Sequence, residues 1–404
     1  MRLGIPQCGY NSLSMSTAVD QILAYNARFD KKDLPHKLDM LVRSPFQFFR
    51  GTFHLFTRDL KLKEFRSIPM TRSAGPIVGD LHSQNFGIFR AVHGGLTADI
   101  NDFDETTHGP YEFDLRRLAT SLMLGAIEQG ATFSEGIFRA EDCARSYVDA
   151  LRKMSSIKNR QGFEAFSVPV DIKQKPRIPF IKSLVKDMQF IPSQRYQPVD
   201  KKTLASLREA FPRYQETCVS AENEPAEQYR FVSAATRVAG IGSLGRKRYA
   251  ILICIEKGEP SIENLRLVEW KQSLDSAHDE ALPHAAKSRA KQVVTATKRF
   301  QLHTKRFIGY TRIGKMPMQA RELGVNDQAL ATNGKTYGEI TARAHLLGAM
   351  PEPGPRTMLK EIAVHEDDFI RRLIHFSVAY TEKVLADYRE LLERQKELRK
   401  RWIA

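Results

Sequence analysis

Apolar residues recur along this chain first at mixed spacings, then in short extended runs, and finally at helical spacing. From Ser16 to Phe29 they form one face behind a Ser/Thr start, which predicts an amphipathic helix. Lys37 to Leu60 predicts helix broken at Ser44-Pro45, because a proline drives the residue before it out of the helical region. Gly75–Asp80, Phe86–Ala91 and Leu96–Asp102 predict short strands. His93-Gly94-Gly95 between the last two is a hairpin turn signal. Phe113–Ile127 predicts a helix with Leu115, Leu118 and Leu122 on one face. Residues 158–200, with Pro169, Pro176, Pro179 and Pro192 among basic residues, predict an irregular connection or a substrate-side insert. Tyr229–Val238, Tyr249–Ile255 and Leu265–Trp270 predict strands. Helix is expected again at Ala285–Gln301, at Lys335–Gly348 and over much of Phe369–Trp402. No internal repeat or low-complexity segment interrupts this order.

Length and composition narrow the class. At ~100–200 residues per domain, 404 residues make two or three lobes. With 42% hydrophobic and 27% charged residues, the composition is that of a globular protein. The longest aliphatic run, Ala250–Ile255, is far short of the ~18–20 residues a bilayer span needs. Met1 to Ser14 has no apolar stretch of the signal-peptide kind. Cys8, Cys143, Cys218 and Cys254 lie too far apart for a CxxC pair or a zinc spacing. The expected compartment is the cytoplasm.

Charge changes the picture more. The balance of 62 Lys+Arg against 47 Asp+Glu gives a net +15, which suits anionic partners without choosing among them. Its distribution is uneven. Ala91–Leu115 contains no Lys or Arg but carries Asp99, Asp102, Asp104, Glu105, Glu112 and Asp114. Such carboxylates repel by ~1 kcal/mol per close pair in water, and a divalent cation is the strongest candidate to offset that. Ala281–Ala320 contains no acid and nine bases. It reads as a solvated helix face, a site for an anionic substrate or a nucleotide triphosphate, or a nucleic-acid surface. The last lacks interleaved aromatics apart from Phe300 and Phe307. Arg389–Arg401, with Glu390, Glu393 and Glu397, predicts an ion-paired helix.

The chemistry concentrates in Gly79-Asp80-Leu81-His82-Ser83-Gln84-Asn85 and in Asp102-Phe103-Asp104. Phosphoryl transfer needs a carboxylate to accept the proton of an attacking hydroxyl, and oxygen ligands holding Mg²⁺ on the nucleotide phosphates. An Asp five residues before an Asn, then a second Asp beyond a two-strand hairpin, brings those groups to one mouth. Strand alternation predicts Asp102 and Asp104 pointing the same way with Phe103 inward.

These residues resemble the signature of the aminoglycoside and choline kinase-like phosphotransferases: His-Gly-Asp-x-His-x-x-Asn, a hairpin, Ile-Asp-Phe/Trp-Glu/Asp, then Gly-x-Pro-x-x-Asp-Leu. The chain offers Val78–Asn85, Ile100–Asp104 and Gly109–Leu115. Val78 stands where the family has its first His, and Asn101 is inserted before Asp102, which leaves Asp99 or Asp104 as rival ligands. The resemblance implies Asp80 as catalytic base, Asn85 and Asp102 as the metal ligands, with Asp104 a further metal candidate, and Asp114 as an anchor under the loop. His82 is either a second catalytic group or a tie for the loop backbone.

The nucleotide-gripping parts come later in the chain. Gly240-Ile241-Gly242-Ser243-Leu244-Gly245 precedes a strand, and Lys271 ends the next one. This is similar to the phosphate-covering hairpin and phosphate-pairing lysine of kinases, with Gly240, Gly242, Ser243, Gly245 and Lys271 as nucleotide ligands. Glu339–His345 resembles the helix that precedes the catalytic loop in those enzymes. The parts stand in rotated order, which implies an α+β, two-lobed, kinase-like fold that is circularly permuted. Residues 1–150 would carry the catalytic loop and metal hairpin, and 151–228 an insert. Residues 229–325 would form a β-rich nucleotide lobe, and 326–404 helices completing the large lobe. The strand lysine lacks an evident helix glutamate, so Glu280 or Glu322 is its expected partner. Most of the chain also resembles the bacterial family known as domain of unknown function 2252. Its matching stretches include Ser44–Gly51, Ala342–His345, Tyr380 and Asp387-Tyr388.

The expected function is an ATP- and Mg²⁺-dependent phosphotransferase acting on a hydroxyl of a small molecule or protein. Nucleotidyl transfer on the same scaffold is one alternative. A degenerate core that binds nucleic acid or protein is another. A two-metal phosphoesterase built on Asp80 and His82 is disfavoured, since only His108 lies nearby as a further ligand.

Overall fold

The computed structural model describes residues 17–27, 34–219, 225–238, 245–256, 259–278 and 288–403. Thr17 accepts the Asp20 amide while Asp20 reaches back to the Thr17 amide, a reciprocal cap that starts α1 (Ala18–Asn26). The Ser44 hydroxyl accepts the Gln47 amide, so the expected break at Ser44-Pro45 separates α2 (Leu34–Leu41) from α3 (Pro45–Gly51). Two more short helices follow, α4 (Phe53–Asp59) and α5 (Lys63–Arg66). Phe46, Phe48, Phe49, Phe53 and Phe56 bury their rings in one cluster with Phe376 and Tyr380.

Next come β1 (Ala74–Ile77), the loop 78–85, the hairpin β2 (Phe86–Arg90) and β3 (Leu96–Ile100), and β4 (Thr107–Pro110), which pairs antiparallel with β1. Both expected strands end early. β1 stops at Ile77 because the next two amides turn to a side chain. β3 stops at Ile100, so strand alternation does not orient Asp102 and Asp104. Phe103 is buried, whereas Asp102 is open and Asp104 is not. Helices α6 (Tyr111–Glu128) and α7 (Phe133–Met154) follow.

Residues 158–200 are less irregular than their prolines predict. After α8 (Arg177–Lys182), the small pair β5 (Val185–Lys186) and β6 (Gln189–Phe190) packs on the main sheet, and β7 (Tyr196–Pro198) joins its edge. Helix α9 (Lys201–Thr217) runs straight through Pro212. Then come β8 (Arg230–Arg237), β9 (Arg248–Cys254), β10 (Leu265–Gln272), α10 (Arg289–Phe300), β11 (Gly309–Ile313) and β12 (Met316–Glu322). The six-stranded antiparallel sheet runs β11-β12-β10-β9-β8-β7. The apolar run in β9 is explained by burial on both faces. Ile251 and Ile253 join Trp270 and the α9 residues Phe211 and Tyr214, while Leu252 and Cys254 meet Ile181 and Val185.

The chain returns through β13 (Gln328–Ala329), which pairs with β2, into α11 (Gly334–Ala349), α12 (Gly354–Ile362), α13 (Glu366–Glu393) and α14 (Gln395–Ile403). A side chain at Gly338 would meet the Cys143 carbonyl at 2.3 Å, so glycine lets α11 lie against α7. The C-terminal run is ion-paired and helical as expected but breaks at Arg394 between α13 and α14, and Glu390 and Glu397, one on each helix, bind Arg394. The architecture is mixed helix and sheet, of the α+β class. No described helix is long and apolar enough to cross a membrane.

Candidate active site

The loop after β1 is held from beneath by one carboxylate. Asp114, fully buried in the first turn of α6, accepts the Val78 amide at 2.7 Å and the Gly79 amide at 2.8 Å. Its Oδ2 lies 3.1 Å from His345 Nε2 on α11, and the other ring nitrogen of His345 lies 2.9 Å from the Tyr147 hydroxyl on α7. Tyr147 donating to Nδ1 and Nε2–H donating to Asp114 satisfies the whole buried chain. Gly79 sits at φ +93°, and a Cβ there would stand 2.2 Å from the Glu105 carbonyl. The tight turn therefore requires glycine.

Asp80 emerges from this base. Arg117, one helical turn beyond Asp114 on α6, donates Nε to Asp80 Oδ1 at 2.8 Å. Burial outweighs that ion pair and pushes the Asp80 carboxyl up to about 7. Arg117 also stacks on the Phe49 ring at 3.4 Å. Asn85 donates Nδ2 to the Asp80 carbonyl at 2.8 Å and fixes the two ends of the loop together. His82 is buried. Loss of hydration and the charges of Arg50 and Arg117 hold it well below its ordinary range, hence neutral.

The six acids of the acidic stretch fare differently from their expected mutual repulsion. Asp99 accepts from Arg343 and the Leu302 amide, Glu112 from Arg116 and the Thr71 amide, and Asp114 from the loop. Glu105 binds Arg246 at 3.0 Å and the Ala277 amide at 2.9 Å. Asp104 is surrounded by Lys271, Arg246 and Gln319, and those cations hold its carboxyl far below the usual range. Asp102 remains open at 43% exposure, 3.9 Å from Lys271. Apart from Arg116, one turn along α6 from Glu112, the compensating charges are distant in sequence and close in space, so the patch by itself does not require a cation.

As oxygen donors to a hard cation, Asp102 and Asn85 fit. The Asn101 amide donates to the Asn85 carbonyl at 2.7 Å, which sets Asn85 beside the segment bearing the open carboxylate. Asp99 does not fit, being consumed by internal bonds, and Asp104 does not fit while Lys271 and Arg246 neutralise it. Among the described residues, no three of His, Cys, Asp and Glu converge as a metal-holding group.

Lys271 is buried at the end of β10, on the strand face whose other end carries Leu265 and Leu267. The expected partner Glu322 is taken by Arg306 on both oxygens, which leaves Lys271 to the hairpin acids. Glu280, Gly240, Gly242 and Ser243 lie outside the described residues. Gly245 is described, at φ +86°, and the next residue, Arg246, reaches across to Asp104 and Glu105. In the acid-free stretch, Lys305 pairs with Asp327, Arg306 with Glu322, and Arg289 donates to the Asp104 and Thr106 carbonyls. Much of its charge is thus structural rather than a solvated face.

Sequence reasoning passed over Arg117 and Arg246. The i, i+3 spacing of Asp114 and Arg117 puts both on the helix face under the loop, a readable signal. Nothing local marks Arg246, whose partners are more than a hundred residues away.

Against known proteins, the family described as "Uncharacterized protein conserved in bacteria (DUF2252)" matches residues 28–187 and 181–394. No curated protein and no solved structure matches the chain.

Proposed function

The chain belongs to the DUF2252 family, and we propose that it is an ATP- and Mg²⁺-dependent phosphotransferase with a two-lobed, circularly permuted kinase-like arrangement. One observation carries this. Lys271, from the six-stranded sheet, closes on the hairpin acids Asp102 and Asp104, beside a loop whose Asp80 and Asn85 are bonded to each other. A base, two oxygen ligands and a phosphate-pairing lysine are the parts phosphoryl transfer needs.

Arg117 occupies Asp80 Oδ1 and leaves Oδ2 without a hydrogen bond among the described residues. That oxygen accepts the proton of the acceptor hydroxyl, and a carboxyl near 7 suits a general base at neutral pH. As the proton moves, the hydroxyl oxygen bonds to the γ-phosphorus. The bond from phosphorus to the β-bridging oxygen breaks, and the nucleoside diphosphate leaves with the electron pair. Lys271 turns from Asp104 to the nucleotide phosphates, and Gly245 belongs to the loop covering them. A magnesium ion held by Asn85 and Asp102 would neutralise phosphate charge. The acceptor bears a hydroxyl, on a small molecule or on protein.

ATP labelled at the α or γ position, with Mg²⁺, tests this on the purified protein. Transfer of the γ label to an acceptor or to the chain itself is expected. Asp102→Ala is expected to lose Mg²⁺-dependent nucleotide binding. Asp80→Asn should keep binding and lose ~10²–10⁴ in rate. Transfer of the α label would replace phosphoryl with nucleotidyl transfer. Salt-dependent nucleic-acid binding without nucleotide affinity would replace both with a binding module. Two variants indistinguishable from wild type would refute the assignment.

A further inference from the structure

Around the loop, most cations close on a carboxylate: Arg117 on Asp80, Arg246 on Asp104 and Glu105, Lys271 on Asp104. Arg50 differs. Half-buried in the last turn of α3, it donates Nη1 to Gln47 Oε1 at 3.0 Å and Nε toward His82 Nε2 at 3.5 Å. It forms no ion pair among the described residues. Its position is set from two sides. Arg117 holds Asp80 and also donates Nη2 to the Phe49 carbonyl at 2.7 Å, so one guanidinium fixes both the loop carboxylate and the residue before Arg50. On the other side stands His82, two residues beyond Asp80.

A partly desolvated cation without a counter-charge costs stability unless an anion completes it. After burial, the largest electrostatic influences on Arg50 are the fields of Asp80 and Asp102. Arg50 is therefore a fork of donors, charged at every physiological pH, with Nε turned to His82, Nη1 to Gln47 and Nη2 without a hydrogen bond among the described residues. His82 is neutral, so Nε2 can accept the Arg50 Nε–H, which an imidazolium could not.

We propose that Arg50 binds the phosphoryl group in flight, taking oxygens of the transferring PO₃ unit, with His82 and Gln47 as positioning residues. This rests on the phosphotransferase reading above and adds a transition-state cation supplied from α3. It also assigns His82 a part other than proton transfer.

The test uses the full chain with Mg²⁺ and ADP, with and without aluminium fluoride as a mimic of the transferring phosphoryl group, read by calorimetry. Wild type is expected to bind the ADP–fluoride complex more tightly than ADP. Arg50→Gln should bind ADP within about threefold of wild type and lose ~10²–10³ in affinity for the complex, the range for removal of one transition-state donor. Arg50→Lys keeps the charge without the fork and should lose about tenfold, and it carries the test if Arg50→Gln fails to fold. His82→Gln should weaken the complex severalfold and leave ADP binding unchanged. Equal preference for the complex in wild type and in the folded Arg50 variant would overturn the role of Arg50 alone. A wild type that binds neither ADP nor the complex would overturn the phosphotransferase reading, and this inference with it.

Discussion

Replacing Asp114 by Asn tests whether the loop is held as described. The carboxylate accepts three donors: two backbone amides at 2.7 and 2.8 Å and His345 at 3.1 Å, with no access to water. An isosteric amide keeps one oxygen for Val78 and His345 but turns an NH₂ toward the Gly79 amide. That leaves one buried N–H unsatisfied, at ~1–3 kcal/mol, and reduces two charge-assisted bonds to neutral ones, at ~1 kcal/mol each. Relief of the desolvated charge offsets part of this, so about 3 kcal/mol is expected. The cost falls on local opening of residues 78–85, and the readout is amide hydrogen exchange of a peptide spanning them. At ~1.4 kcal/mol per factor of ten, exchange should quicken roughly a hundredfold. Peptides from β9, remote from the loop, should stay as in wild type. Exchange in 78–85 within about threefold of wild type would refute the anchoring role of Asp114.

Two further outcomes follow from other sites. His278 is buried between Phe53 and Phe113, and burial lowers it to about 4, with Arg117 and Arg289 adding to the drop and Asp114 opposing it. The unfolded chain takes up the proton near 6.5 and the folded chain only near 4. Stability present above pH 6.5 is therefore lost as pH falls from 6.5 to 4, by up to about 3 kcal/mol, and urea midpoints of His278→Phe should show a flatter loss than wild type. Gly79→Ala and Gly94→Ala make a matched pair at φ +93° and +88°, but only the first meets backbone, whereas Gly94 has nothing within 4 Å. Gly94→Ala should cost ~1 kcal/mol and Gly79→Ala clearly more, and equal melting temperatures would refute the contact with Glu105.

Periodicity and punctuation were enough for most elements. Ser44-Pro45 marks a real helix break, and His93-Gly94-Gly95 a real hairpin turn. The run Ala250–Ile255 becomes a strand buried on both faces, because such local signals act within a few residues. Pro212 hid α9, since a proline that ends an isolated helix is tolerated where Leu207, Phe211 and Tyr214 pack on the sheet. The β11–β12 hairpin was hidden as well, since beyond Gln301 the acid-free stretch was read only for its charge.

The sequence by itself determined the motif residues and their order: Asp80, Asn85, Asp102, Asp114, Lys271 and His345. Spacing along a loop and a helix is local, and the chain states it directly. Tertiary structure decided how each was used. It gave Asp114 its three donors, closed Lys271 on Asp104 instead of Glu322, paired Asp99, Asp104, Glu105 and Glu112 with cations while leaving Asp102 open, and gave Arg50 no ion pair among the described residues. Those outcomes depend on partners more than two hundred residues away, such as Arg343 for Asp99 and His345 for Asp114. Charge compensation acts through space within a few ångströms, and no local pattern records which distant residues the fold brings there.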